Sequence, residues 1–143
     1  MITKTIELIH KHGSVRNYKT DPLDREIIET IVHAGQKAAT SSNLQLYSVV
    51  VTQELTERQM LQEWCGNQRH ISQAPVFLTW CADLSRMDRI CSNRNYPHQS
   101  GYVENFLLAS VDASIAAQNA GLAAESIGLV FVISVQSAIT LVR

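Results

Sequence analysis

Gly101 to Ile127 reads as one long helix that is apolar nearly all round, and no other stretch limits the possible fold so strongly. At 1.5 Å per residue it would run about 40 Å. Ala109, Ala113, Ala116, Ala117, Ala120 and Ala124 gather on one side, and Leu107, Leu108, Val111, Ile115 and Leu122 cover much of the other. A helix without a polar face has to be covered on both sides, and the small alanine side would let another backbone approach closely. Two coverings satisfy this pattern equally well: an intrachain core, or a second subunit over one face.

The rest of the chain supplies enough material for one domain around such a helix. Its 143 residues are 45% hydrophobic and 17% charged, a globular composition and not a disordered one. A net charge of −1 gives no nucleic-acid footprint. The three cysteines, Cys65, Cys81 and Cys91, form no CxxC pair and no zinc-finger spacing, so reduced thiols and a cytoplasmic location are expected. The first residues carry charge where a signal peptide needs an apolar core, and no apolar run reaches the length of a membrane helix.

Thr3 is placed to cap a short helix bearing Ile6, Leu8 and Ile9, which stops at Gly13. Asp24 starts a second helix with Ile27, Ile28, Ile31, Val32 and Ala38 at helical spacing. Leu46–Thr52 is predicted as a buried strand. Pro75–Ala82, apolar on both faces, is predicted as a central strand. Between them, Glu54–Cys65 reads as an amphipathic surface helix with Leu55, Met60, Leu61 and Trp64 on its apolar side. Residues 83–100 read as a polar, solvated connection, or as a basic loop facing a substrate through Arg86, Arg89 and Arg94.

Three polar stretches stand out as candidate binding elements. In extended backbone His12, Ser14 and Arg16 share one face, and an imidazole, a hydroxyl and a guanidinium together suit a phosphate or another anionic ligand. Thr40-Ser41-Ser42-Asn43 is a loop whose hydroxyls and amides can bind a ligand or merely turn the chain. Gly66-Asn67-Gln68-Arg69-His70 is a second such loop. Singly, each residue also reads as plain structure: His12 as a cation at a helix C-terminus, Arg16 as a surface ion-pair partner, the serines as turn formers.

As an ordered set, the residues resemble a known family. Thr5-Ile6-Glu7-Leu8-Ile9, His12-x-Ser14-x-Arg16, Ala39-Thr40-Ser41-Ser42-Asn43-Leu44-Gln45, Gly66-Asn67-Gln68-Arg69-His70 and Asp112-x-x-x-Ala116-x-Gln118-Asn119-Ala120 occur in this order and are similar to the FMN-dependent nitroreductases, in particular the NADPH-preferring oxygen-insensitive branch. The resemblance implies an α+β fold with a mixed sheet flanked by helices, and a homodimer with FMN at the subunit interface. The long central helix would form the dimer core. It implies that His12, Gly13, Ser14, Val15 and Arg16 hold the phosphate and the pyrimidine side of the flavin. Thr40, Ser41, Ser42 and Gln45 would meet the ring and ribityl chain, Gln68 the reactive edge, and Ser42, Asn43 and Arg16 the substrate. NADPH would be the reductant, and nitroaromatics, quinones or free flavin the acceptors. No catalytic side chain is required, because the cofactor carries the chemistry.

The resemblance runs from residue 3 to about 129, and the chain then departs from the family's glycine-containing flavin-binding strand. Val132-Ile133-Ser134-Val135-Gln136-Ser137-Ala138-Ile139-Thr140 can be encoded GTT ATA TCG GTT CAA TCC GCA ATA AC. Read from the third base, the same string gives Tyr-Ile-Gly-Ser-Ile-Arg-Asn-Asn, the motif expected of the family at this point. Residues 1–131 are therefore expected to be the N-terminal part of a nitroreductase-like domain, truncated there, and residues 132–143 an out-of-frame tail. The alternatives are a non-enzymatic remnant of such an enzyme, or a small-molecule-binding domain.

Overall fold

The computed structural model describes residues 1–99 and 101–134. Among the described residues six helices and two strands follow in order: α1 (Lys4–His10), α2 (Arg25–Gly35), β1 (Tyr47–Thr52), α3 (Leu55–Trp64), α4 (His70–Gln73), β2 (Phe77–Ala82), α5 (Ser85–Asn93) and α6 (Val103–Ser126), with a 3-10 turn at Ser41–Asn43. The fold is α+β. Among the described residues the sheet is one antiparallel pair, with Tyr47 opposite Ala82, Val49 opposite Trp80 and Thr52 opposite Phe77.

The core forms where α2 and one face of α6 meet the inward face of this pair. Ile31, Tyr47, Trp80, Ala113, Ala116, Ala120 and Ala124 are its buried members. The helices approach closely because the contact is built from alanines and Gly35. A Cβ added at Gly35 would lie 3.0 Å from the Ala116 carbonyl oxygen and 2.5 Å from the Trp80 ring. Tyr47 and Trp80 pack as tilted rings with centroids 5.7 Å apart.

This settles which side of α6 the chain covers for itself. Ala113 and Ala120 are buried in the intrachain core, with Ala117 packed against it, so the alanine side does not await a partner helix. The opposite face is bare: Phe106, Leu107, Val111 and Ile115 are 54%, 55%, 53% and 40% exposed. The physical reason is size, since only alanines let α2 and the sheet come this near.

Other expectations need correction. The strand predicted as buried leaves Val50 and Val51 exposed, and β2 has one strand neighbour among the described residues, not two. The apolar side of α3 is uncovered at Leu55, Met60 and Trp64; the helix is held by Arg58, whose guanidinium donates to the Ser72 and Ala74 carbonyls. Residues 83–100 are not a plain connection, because α5 forms within them. Asp83 starts it by accepting from the Ser85 amide (2.9 Å) and hydroxyl (2.7 Å). At α1 the expected cap is present, with Thr3 Oγ1 accepting from the Ile6 amide at 3.3 Å. Asp24 precedes α2 without a side-chain capping bond.

Candidate functional site

The loop from Thr40 to Leu46 joins α2 to β1 in an unusual backbone. Ser42, Asn43 and Gln45 all have positive φ, at 49°, 56° and 53°. L-residues rarely adopt this region, and three such residues so close together have to be held there. Asp112, 1% exposed on α6, does part of this: one carboxylate oxygen accepts from the Ser41 amide at 3.0 Å and the other from the Leu46 amide at 3.2 Å. Arg86 of α5 donates to the carbonyls of Leu44 (3.0 Å) and Gln45. With its backbone tied, the loop leaves Ser42, Asn43 and Gln45 exposed. Thr40 and Ser41 border a cavity of about 450 Å³ against Leu107, Val111, Asp112 and Ile115.

His12 to Arg16 lies elsewhere. His12 Nδ1–H donates to Glu125 at 2.7 Å, and its ring stands 5.2 Å from that of Phe131. Gly13, Ser14 and Arg16 are exposed. Val15 is half-buried and its carbonyl accepts from the Tyr18 hydroxyl at 2.6 Å. Arg16 forms no hydrogen bond or ion pair among the described residues, although its charge is felt by His70 and Tyr18. Gln68 follows the left-handed pair Gly66 and Asn67 that ends α3, and its amide donates to the Cys65 carbonyl at 2.8 Å. Near this end of α6 a larger, mainly apolar cavity of about 660 Å³ lies between His70, Phe77, Trp80, Ala120 and Phe131.

The His12–Arg16 stretch and the Thr40–Gln45 loop are anchored at different places on α6. At about 1.5 Å per residue, Asp112 and Glu125, which anchor the loop and His12, stand roughly 20 Å apart along α6. His12, predicted to point with Ser14 and Arg16 at one ligand, has its Nδ1 engaged by Glu125, which leaves its other ring nitrogen. Asp112, Arg86 and Glu125 were missed as site-shaping residues. Asp112 had a legible signal, a lone carboxylate among Ala109, Ala113 and Ala116; such a group has to find partners.

Burial, and secondarily the charge of Arg16, lower the pKa of the His70 imidazole below its usual 6.5. The unfolded state then binds more protons than the folded state at mildly acid pH, so stability falls as pH drops from about 6.5 toward the lowered value. Thermal unfolding across that window is expected to show this fall, and His70→Gln is expected to flatten it. An unchanged slope in the variant would acquit His70.

With this geometry in place the comparisons with known proteins are direct. Residues 9–68 match the nitroreductase family profile, a stretch that contains all ten candidate residues. The FMN reductase (NADPH) of Bacillus subtilis is 36% identical over 131 residues, which cover 90% of this chain and 52% of that protein. The NADPH-flavin oxidoreductase of Vibrio harveyi is 38% identical over 128 residues, again 90% of this chain and 52% of the relative. The solved NfrA2 of B. megaterium superposes with a TM-score of 0.86 at 34% identity, covering 89% of this chain and 52% of that one. Over the stretch these matches span, the chain is similar to the nitroreductase family. It spans about half the length of the curated relatives it matches.

Proposed function

We propose that this chain is part of an FMN-dependent oxidoreductase that takes reducing equivalents from NADPH and passes them to nitroaromatics, quinones or free flavin, one substrate leaving before the next binds. The observation that carries this is Arg16. An exposed guanidinium with no carboxylate or carbonyl partner among the described residues, two positions from Ser14, is a clamp for a phosphate. The donor set fits FMN in kind: Arg16, Ser14 and the Gly13 and Val15 backbone for the phosphate and pyrimidine side, with the remaining ring nitrogen of His12 nearby. The Thr40, Ser41 and Ser42 hydroxyls and the Gln45 amide suit the ring and ribityl chain, and Gln68 the reactive edge. When bound, FMN supplies the hydride chemistry, so the protein's part is to bind, orient and exclude. Ser42, Asn43 and Arg16 would receive the substrate, and Arg16 would also attract the anionic nucleotide.

The split of the candidates along α6, with a bare apolar face beside the loop, supports a homodimer in which the His12–Arg16 end of one subunit and the Thr40–Gln45 loop of the other complete one site. A cytoplasmic location fits the three free cysteines. Among the described residues no helix is long and apolar enough to cross a membrane. The same reading takes residues 1–131 as nitroreductase-type sequence and 132–143 as out of frame, on the strength of the motif recovered in the shifted frame. Sequencing the encoding DNA past Val132 and translating all frames tests that part.

Charge-assisted guanidinium–phosphate bonds contribute roughly 1.5–3 kcal/mol. Arg16→Ala is therefore expected to weaken FMN binding about ten- to a hundredfold in a flavin fluorescence titration. Unchanged affinity would remove Arg16 from the site.

A further inference from the structure

Two charged side chains, one on α6 and one on α5, bond the Thr40–Leu46 loop, and they divide its backbone between them. Asp112 takes the N–H groups at its two ends, Ser41 and Leu46, at 3.0 and 3.2 Å. Arg86 takes the C=O groups of Leu44 and Gln45 in its interior. An anion accepting from donors and a cation donating to acceptors is the arrangement that satisfies backbone groups a loop leaves over. The loop satisfies itself only in part: the Leu44 amide donates to the Ser41 carbonyl at 2.9 Å in the 3-10 turn, while Ser42, Asn43 and Gln45 are held left-handed. Asp112 is buried, and among the described residues its two hydrogen bonds both go to this loop. Arg86 is exposed on α5, a helix fixed in turn by Asp83.

We propose that Asp112 and Arg86 are positioning residues that hold the Ser41–Gln45 loop in its left-handed form, the form in which its hydroxyls and amides meet the cofactor. The second half of this proposal rests on the FMN reading above; the first half stands without it. Neither residue touches the ligand; each acts through the loop backbone. Arg86 is the more informative of the two, because an exposed side chain can be changed without disturbing the core.

The test combines amide hydrogen exchange with flavin titration on the intact protein, in Arg86→Gln, Arg86→Lys and Asp112→Asn. Loss of a charge-assisted bond corresponds to about a tenfold change or more in the opening equilibrium. In Arg86→Gln the Ser41 and Leu46 amides are expected to exchange about tenfold faster or more, with α2 and α6 amides unchanged, while FMN affinity falls about tenfold. Arg86→Lys, which keeps a donor and the charge, is expected to recover part of both. Asp112→Asn is expected to speed exchange at the same two amides, and Arg89→Gln, a neighbouring cation on the same helix, to change nothing. Unchanged loop exchange in Arg86→Gln would overturn the proposal even if Asp112→Asn failed to fold. Faster exchange with undiminished FMN affinity would overturn the link to the cofactor. If the wild-type chain binds no FMN, the FMN reading fails, while the exchange data still decide whether these side chains hold the loop.

Discussion

Replacing Gly35 by alanine is expected to destabilise the chain by about 1–3 kcal/mol, the usual cost of overpacking a full core. Two effects oppose each other here. Alanine is the better helix former by about 1 kcal/mol at an interior position, so an exposed glycine in α2 would gain from the change. At Gly35 the new Cβ would stand 2.5 Å from the Trp80 ring and 3.0 Å from the Ala116 carbonyl oxygen. The ring is 7% exposed and packs against Tyr47; it also borders the cavity beside Phe131, but the carbonyl belongs to the middle of α6 and cannot give way. Backbone has to separate from backbone, and overpacking outweighs propensity. Gly13→Ala is the control: no heavy atom lies within 4 Å of the added carbon, and thermal unfolding should be unaffected. A Gly35→Ala protein as stable as the parent would mean that α2 and α6 do not meet here.

On the proposed homodimer, Val111→Asp is expected to abolish self-association while leaving each chain folded. Val111 is 53% exposed, so an aspartate there stays hydrated in a single chain and costs little. Under a second copy the same carboxylate loses its water without gaining a partner, at several kcal/mol. A two-fold interface meets it twice, which amounts to roughly three decades or more in the dimer dissociation constant. Sedimentation velocity across a dilution series reads this directly. Ala117→Leu differs: Ala117 packs against the intrachain core, so it should lower the melting temperature without a dependence on protein concentration. A Val111→Asp protein that still sediments as a dimer would move the interface to another face.

The contrast between Ala117 and Val111 also marks what the sequence made legible. The helical pattern located α1, α2, α3 and α6 within a few residues, because apolar spacing and a Thr3 cap are local signals. It showed that α6 had two apolar faces, but not which face belonged to the chain. That depended on Gly35, distant in sequence, being small enough to let α2 in. α5 was missed because its charged residues masked Leu84, Met87 and Cys91, which recur at helical spacing, and because Asp83 is a start signal only once Ser85 is seen to bond to it. The candidate residues were legible only as a set, from their order along the chain. Their separation along α6 was not legible, since chain order carries no distance. Asp112 and Arg86 act through backbone groups 66 to 71 and 41 to 42 residues away, contacts that no local pattern encodes.

Sedimentation velocity with added FMN, followed at both the protein and the visible flavin absorbance, tests the cofactor and the shared site together. The flavin band is expected to travel with the protein at the size of a dimer, and to bleach when NADPH is added without oxygen. A folded chain that sediments while the flavin stays behind as a free small molecule would contradict the assignment of His12–Arg16 and Thr40–Gln45 to an FMN site.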